Sequence, residues 1–280
     1  MCSTLTFDSV FSNNAVFILD GLKLSDLQTA KNLLDELRDL AGTTTGMPFI
    51  SMYKVNSRKE LFAALKEIQQ YCLAGSKPII HFEVHGEKDG VLIGDDEEKI
   101  SWGELIAVLR QINTVTKNNL GVVMASCYGL YAITIEIEIT EPSPFYFLIG
   151  SEEEILSGLI ADQMKEFYRQ LLLNDSICSA MAQVDKKFKQ FHVEKFFCMV
   201  IGRYFKRACM GKGAAERVER LVSEAFEQGT SRNRENLQKL RRSYKSAIKP
   251  SKATFDKYAN IFMHGRYAIT YEQFYAVVVG

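Results

Sequence analysis

The chain is poor in histidine, in charge imbalance and in long apolar runs, and each scarcity narrows what it does. Only His81, His85, His192 and His264 occur among 280 residues. The formal net charge is zero, which excludes whole-chain electrostatic attraction as a basis for binding nucleic acid. No apolar run reaches the length of a membrane-spanning helix, so no membrane association is expected. The opening residues, MCSTLTFDSVFSNN, lack a basic segment followed by an apolar core and do not read as a signal peptide. The six cysteines, Cys2, Cys72, Cys127, Cys178, Cys198 and Cys209, form no CxxC and no paired spacing. Reduced thiols in a cytoplasmic protein are therefore expected. The glycine-rich stretch CMGKGAAE lacks the P-loop pattern and reads as a loop and helix start. There is no internal repeat and no low-complexity tract.

What is present suits a soluble domain with a real core: 47% hydrophobic and 24% charged residues. The length fits one large domain, or one plus a smaller one. Charge is unevenly spread. From Ile201 to Tyr258, lysines and arginines exceed acids by about nine. A solvated helical face and an interaction surface both fit that excess.

Strand-like and helix-like patterns alternate. AVFILDG (15–21) reads as a buried strand ending at Asp20. Leu24, Leu27, Ala30, Leu34, Leu37 and Leu40 then recur at helical spacing, with Ser25 as cap and Gly42 as stop. PFISMYKVNS is a second strand, RKELFAALKEIQQYCLAG a second helix stopped by Gly75, and KPIIHFEVHG a third strand. GVLIGDDEEKISW suits a β-hairpin, and WGELIAVLRQINTV a third helix. LGVVMASC is a fourth strand ending at Cys127, and FYFLIG a fifth. EEILSGLIADQMKEFYRQLLL and SICSAMAQVDKKF are helical, and FFCMVIG is an expected edge strand. Such alternation makes βαβ units, hence an α/β fold with a mostly parallel sheet flanked by helices. Residues 1–202 are expected to form this domain. Residues 203–280 form a helical, basic region, with GTSRNREN (229–236) as a loop between helices.

Two motifs carry chemistry. In open parallel sheets, ligands bind beyond the carboxyl ends of the strands. The third strand ends at His85-Gly86 and the fourth at Cys127, with Gly129 just beyond. If the strands are neighbours, imidazole and thiol emerge side by side. A thiol becomes a nucleophile as its thiolate, and an adjacent imidazole takes its proton. The N–H groups of Gly86 and Cys127 are candidates for an oxyanion hole. Gly86 also leaves room for a substrate backbone to approach. The chemistry implied is acyl transfer by a Cys–His dyad.

HFEVHG and VVMASCYG together resemble clan CD cysteine peptidases, the caspase–hemoglobinase fold, and among them the caspase-like CHAT branch related to separase. The ISWGEL helix start and the helical pair EFYRQLLLNDSICSAMAQV are also similar to that branch. The resemblance spans about Ala15 to Val184. It implies a cysteine endopeptidase that acts on protein substrates through His85 and Cys127, with no metal or organic cofactor. By analogy it also implies activation by a partner or signal, as in a prokaryotic defence or cell-death pathway. Two departures stand out. Tyr128 follows the cysteine where many members have a smaller or acidic residue, and the segment LYAITIEIEITEPSP is unusual.

Other residues have competing readings. His81 lies four residues before His85 on the same strand face and reads as structural support. A metal site from His81, His85 and Cys127 lacks a fourth ligand at recognisable spacing. His264 follows Cys127 in the order of papain-type enzymes, but a cysteine ending a mid-chain strand does not match their local signature. By resemblance to metacaspases, Asp20 is a candidate for lining a pocket that takes Lys or Arg before the scissile bond; the alternative is an Asp-Gly turn. Ala125 does not supply the second acid of that pocket. SEEE (151–154) offers negative charge there or an acidic helix start. The basic stretch RNRENLQKLRRSYKSAIKPSK is a solvated face or a docking surface for an acidic partner or RNA. Two functional alternatives follow. One is a catalytically silent scaffold that binds through basic helices bearing Arg241 and Arg242. The other is a different thiol enzyme, such as an acyltransferase.

Overall fold

The structure is a computed structural model and describes residues 10–43, 48–134, 137–174 and 176–279. Its elements in chain order are β1 (Ala15–Asp20), α1 (Thr29–Thr43), β2 (Phe49–Lys54), α2 (Arg58–Leu73), β3 (Pro78–Glu83), β4 (His85–Glu87), β5 (Gly90–Ile93), β6 (Glu98–Ser101), α3 (Trp102–Val115), β7 (Gly121–Ala125) and β8 (Phe147–Ser151). Then follow α4 (Ser157–Asn174), α5 (Ile177–Gln183), β9 (Phe188–His192), α6 (Val193–Tyr204), α7 (Gly211–Glu227), α8 (Arg234–Ala247), α9 (Lys252–Met263) and the short α10 (Tyr271–Phe274).

Six strands form one sheet in the order β2-β1-β3-β7-β8-β9, parallel except for β9. The strands β1, β3, β7 and β8 are buried along their whole length, as continuous apolar runs in a doubly covered parallel sheet should be. The crossovers through α1 and α2 run in opposite directions across the sheet. Right-handed connections therefore put these helices on opposite faces. Helix α1 packs with α4, and α2 with α3. Local chemistry fixes the helix starts. Ser57 accepts the Glu60 N–H ahead of α2, and Ser101 with Glu104 closes a capping box ahead of α3. Among the described residues, no helix is long and apolar enough to cross a membrane.

Several expectations change, among them the helix of EEILSGL, which begins only at Ser157, and that of SICSAMAQVDKKF, which ends at Gln183 before β9. Helix α1 starts at Thr29, not after Ser25. Residues before it form a loop in which the Lys23 N–H donates to Asp26 and the Gln28 amide donates to the carbonyls of Lys23, Leu24 and Asp26. Such side-chain bonds compete with helix, and they leave Leu24 and Leu27 exposed. The helix also continues through Gly42 to Thr43. FFCMVIG belongs to α6, where Phe197 and Ile201 are buried one turn apart. The edge strand is instead FKQFH, as β9. Finally, β3 stops at Glu83, and His85-Gly86 opens a separate antiparallel sheet, β4-β5-β6, whose last two strands are the expected hairpin.

The chain divides into two compact units. Among the described residues, the sheet unit lies within 10–193 and 261–267, and the other within 194–260 and 268–279. The division falls at Val193, the first residue of α6. The helical unit has an aromatic core in which Phe255 meets Phe197 and Phe274, both with ring centroids 5.1 Å away. Its buried Glu194 accepts the N–H groups of Ala268 and Ile269. GTSRNREN covers the α7–α8 connection and the first turn of α8, with Asn233 capping α8.

Candidate active site

The carboxyl edge of the sheet carries the candidate site. Strand register sets Lys54, Asp20, Glu83 and Ala125 in one row across β2, β1, β3 and β7. One residue beyond Glu83 the chain leaves the sheet, and two beyond Ala125 lies Cys127. The two departing segments touch. A Cβ on Gly86 would stand 1.8 Å from the Cys127 carbonyl oxygen, so only glycine fits. The space Gly86 leaves is thus filled by the chain's own carbonyl, not held open for a substrate backbone. Cys127 is followed by a sharp turn. Tyr128 has φ of 54°, and a Cβ on Gly129 would stand 2.5 Å from the Met124 Cβ. Non-glycine residues at positive φ concentrate where a site constrains the backbone.

His85 is half-exposed, and its Nε2 lies 2.8 Å from Asp26 Oδ2. Asp26 comes from the loop before α1. Burial works against its charge, but the bonds from His85 and from the Lys23 N–H hold its carboxyl below the usual aspartate value. The Cys127 Sγ accepts the Ile155 N–H at 3.3 Å and donates its own hydrogen to the Ile155 carbonyl at 3.6 Å. Imidazole and thiol therefore each hold another partner in this state. They nevertheless line one cavity of about 290 Å³, with Asp26, Thr29, Glu83 and Ser126. It lies beyond β1 and β3, where the sequential strand order reverses, the place where open α/β sheets bind ligands. Leu27 and the strongly exposed Leu156 add apolar surface to it. On its other side Cys127 borders a second, open cavity of about 810 Å³, with Gly86, Lys88, Tyr128 and Glu154. The Tyr128 hydroxyl donates to Glu154 at 3.2 Å, and Lys88 sits over the Tyr128 ring.

A buried polar network underlies this edge. His81 Nδ1 lies 3.1 Å from the Tyr168 hydroxyl, and Nε2 lies 3.1 Å from Glu83 Oε1. The Thr29 hydroxyl donates to Glu83 Oε2 at 2.8 Å. Complete burial, with Glu83 nearby, pushes the Tyr168 phenol well above its usual value. Both ring nitrogens of His81 thus have buried partners, Tyr168 and Glu83.

The other sequence candidates lie elsewhere or act differently. Asp20 lines neither cavity. Its carboxylate takes Lys54 Nζ at 3.3 Å and the Leu22 N–H at 3.2 Å, so its charge pairs across the sheet. His264 also lines neither cavity. Its segment packs at the opposite edge: Phe262 O accepts the Ser143 N–H, and Arg266 O accepts from Asn118 just before β7. In SEEE, Glu152 and Glu153 pair with Lys189 and Lys187, and only Glu154 reaches a cavity. The sequence reading missed Asp26, Glu83, Thr29 and Ser126. For Glu83 a signal was present, since an acid between two histidines on an apolar strand calls for a partner. For Asp26 there was none, because it was placed inside a helix that does not begin there. No protein-family model matches this chain, and no curated protein matches it significantly.

Proposed function

We propose that the chain is a cysteine endopeptidase of the caspase–hemoglobinase, CHAT-like type. The observation that carries this reading is that Cys127 and His85 line one cavity at the carboxyl ends of adjacent parallel strands. The strand order, with five parallel strands and an antiparallel last one, is compatible with it. In the reaction the Sγ hydrogen passes to the His85 imidazole and the thiolate attacks the peptide carbonyl. The oxyanion of the tetrahedral intermediate is held by the N–H groups of Gly86 and Cys127. His85 then gives its proton to the departing amine, leaving a thioester. Water, deprotonated by His85, attacks the thioester carbonyl and releases the acid and the thiol. Asp26 acts through His85, fixing which ring nitrogen faces it. Before any of this, the Sγ hydrogen turns from the Ile155 carbonyl toward His85; activation by a partner or signal is what the resemblance adds. A preference for a basic residue before the cut would rest on the two carboxylates that line the cavity, Asp26 and the buried Glu83.

A peptidyl acyloxymethyl ketone with Arg before the warhead tests this reading. Mass spectrometry should find it on Cys127, with labelling lost in His85→Ala. Equal labelling of Cys127 and the exposed Cys178, unaffected by His85→Ala, would sink it. A second reading, a catalytically silent scaffold, draws on the separate partners of thiol and imidazole. It expects that second labelling result.

A further inference from the structure

The helical unit contains a cavity that the peptidase reading does not use. It has a volume of about 630 Å³ and opens between α7 and α8, within the size range of ligand pockets. A six-residue connection, 228–233, joins these helices as a hairpin. Val218, Val222 and Ile248 form the small core between them. Helix α8 has no fully buried residue, so its apolar side is only partly covered. The sequence GKGAA at the start of α7 puts Gly211, Ala214 and Ala215 at the cavity wall, and their small side chains leave the space open.

The charges around the cavity do not balance. Glu219 is the one acid lining it, and Arg241 clamps that carboxylate with two bonds of 2.8 and 2.6 Å. Arg242, Lys245 and Lys249 also line it, and none has an ion pair or hydrogen bond among the described residues. Arg242 and Lys245 stand three residues apart on α8, and Lys249 follows the C-cap, Ile248. An apolar floor thus meets an uncompensated cationic edge.

We propose that this groove docks an acidic, amphipathic segment of a partner protein. An apolar side chain of the segment fills the space over Ala214, Val218 and Ile248, and its carboxylates face Arg242, Lys245 and Lys249. Charge complementarity selects the partner, and the apolar floor favours a peptide over a polyanion without side chains. This site shares no residue with the Cys127 cavities.

The test is selection from a phage-displayed library of random peptides on the full chain carrying Cys127→Ser. That substitution prevents cleavage and keeps the result independent of the peptidase reading. Enriched peptides should combine apolar residues at helical spacing with Asp or Glu. Their binding should weaken about tenfold or more in the combined variant Arg242→Glu, Lys245→Glu, Lys249→Glu. It should weaken likewise in Ala215→Trp, which fills the cavity from its exposed side, with circular dichroism confirming both folds. Enrichment without acidic bias, no enrichment by folded protein, or equal binding to the combined variant would overturn the proposal. So would tighter binding of a homopolymeric RNA, or a self-association, that depends on the same three cations.

Discussion

The Cα of Gly86 lies against the main-chain carbonyl of Cys127, so close that a Cβ there would stand 1.8 Å from the oxygen. This contact ties the segment bearing His85 to the turn bearing the thiol. Gly86→Ala should force the two apart, at a cost of about 1–3 kcal/mol in stability for the overpacking. Labelling of Cys127 by the acyloxymethyl ketone should fall more steeply than stability does. Urea denaturation and labelling rates on the same sample check both; unchanged labelling would mean the contact has no bearing on the site.

Asp26 should matter through His85. Asp26→Asn keeps the shape but removes the carboxylate, and peptide cleavage should drop roughly a hundredfold from misorientation of the base. The loss should fall on kcat with KM little changed, and Asp26→Glu should recover part of it. The same group predicts an acid limb in stability. Its folded-state pKa is lowered from 3.8, so it stabilises the fold above that value and the contribution is lost as pH falls below it. Thermal melts between neutral pH and pH ~3 should show a smaller acid-induced decrease in Asp26→Asn than in wild type.

The network of His81, Glu83, Thr29 and Tyr168 is expected to be structural first. Glu83→Ala leaves the His81 and Thr29 donors buried without an acceptor and should cost about 3–5 kcal/mol. Replacing both ends, His81→Leu with Glu83→Leu, should cost less than the sum of the single changes. Denaturant titration of the four proteins decides it, and additive losses would show that the two residues are not energetically coupled.

Much of the α/β architecture was legible because parallel strands buried on both faces are written as continuous apolar runs, as in AVFILD and GVVMA. Failures arose where tertiary context overrode periodicity. Leu24 and Leu27 keep helical spacing with the leucines of α1 but sit in a loop organised by Asp26 and Gln28. FFCMVIG has a strand's composition, yet its buried residues follow a helical period. At the site, the sequence placed His85 and Cys127 at one sheet edge on the condition that their strands are neighbours, and both line one cavity. The partners they actually hold, Asp26 and Ile155, come from loops whose positions no local pattern specifies. Asp20 was correctly placed at the sheet edge, but its neutralisation by Lys54 depends on the β1–β2 register.

The central claim is a peptidase built on Cys127 and His85, and cleavage of a diverse peptide library, read by mass spectrometry, tests it most directly. Wild type would be compared with Cys127→Ala, His85→Ala and His264→Ala. The expected result is a set of cuts absent from the first two variants and retained in the third, with the residue before each cut reporting on the carboxylates of the cavity, Asp26 and Glu83. Cuts that survive Cys127→Ala, or that disappear in His264→Ala while His85→Ala still cleaves, would contradict it.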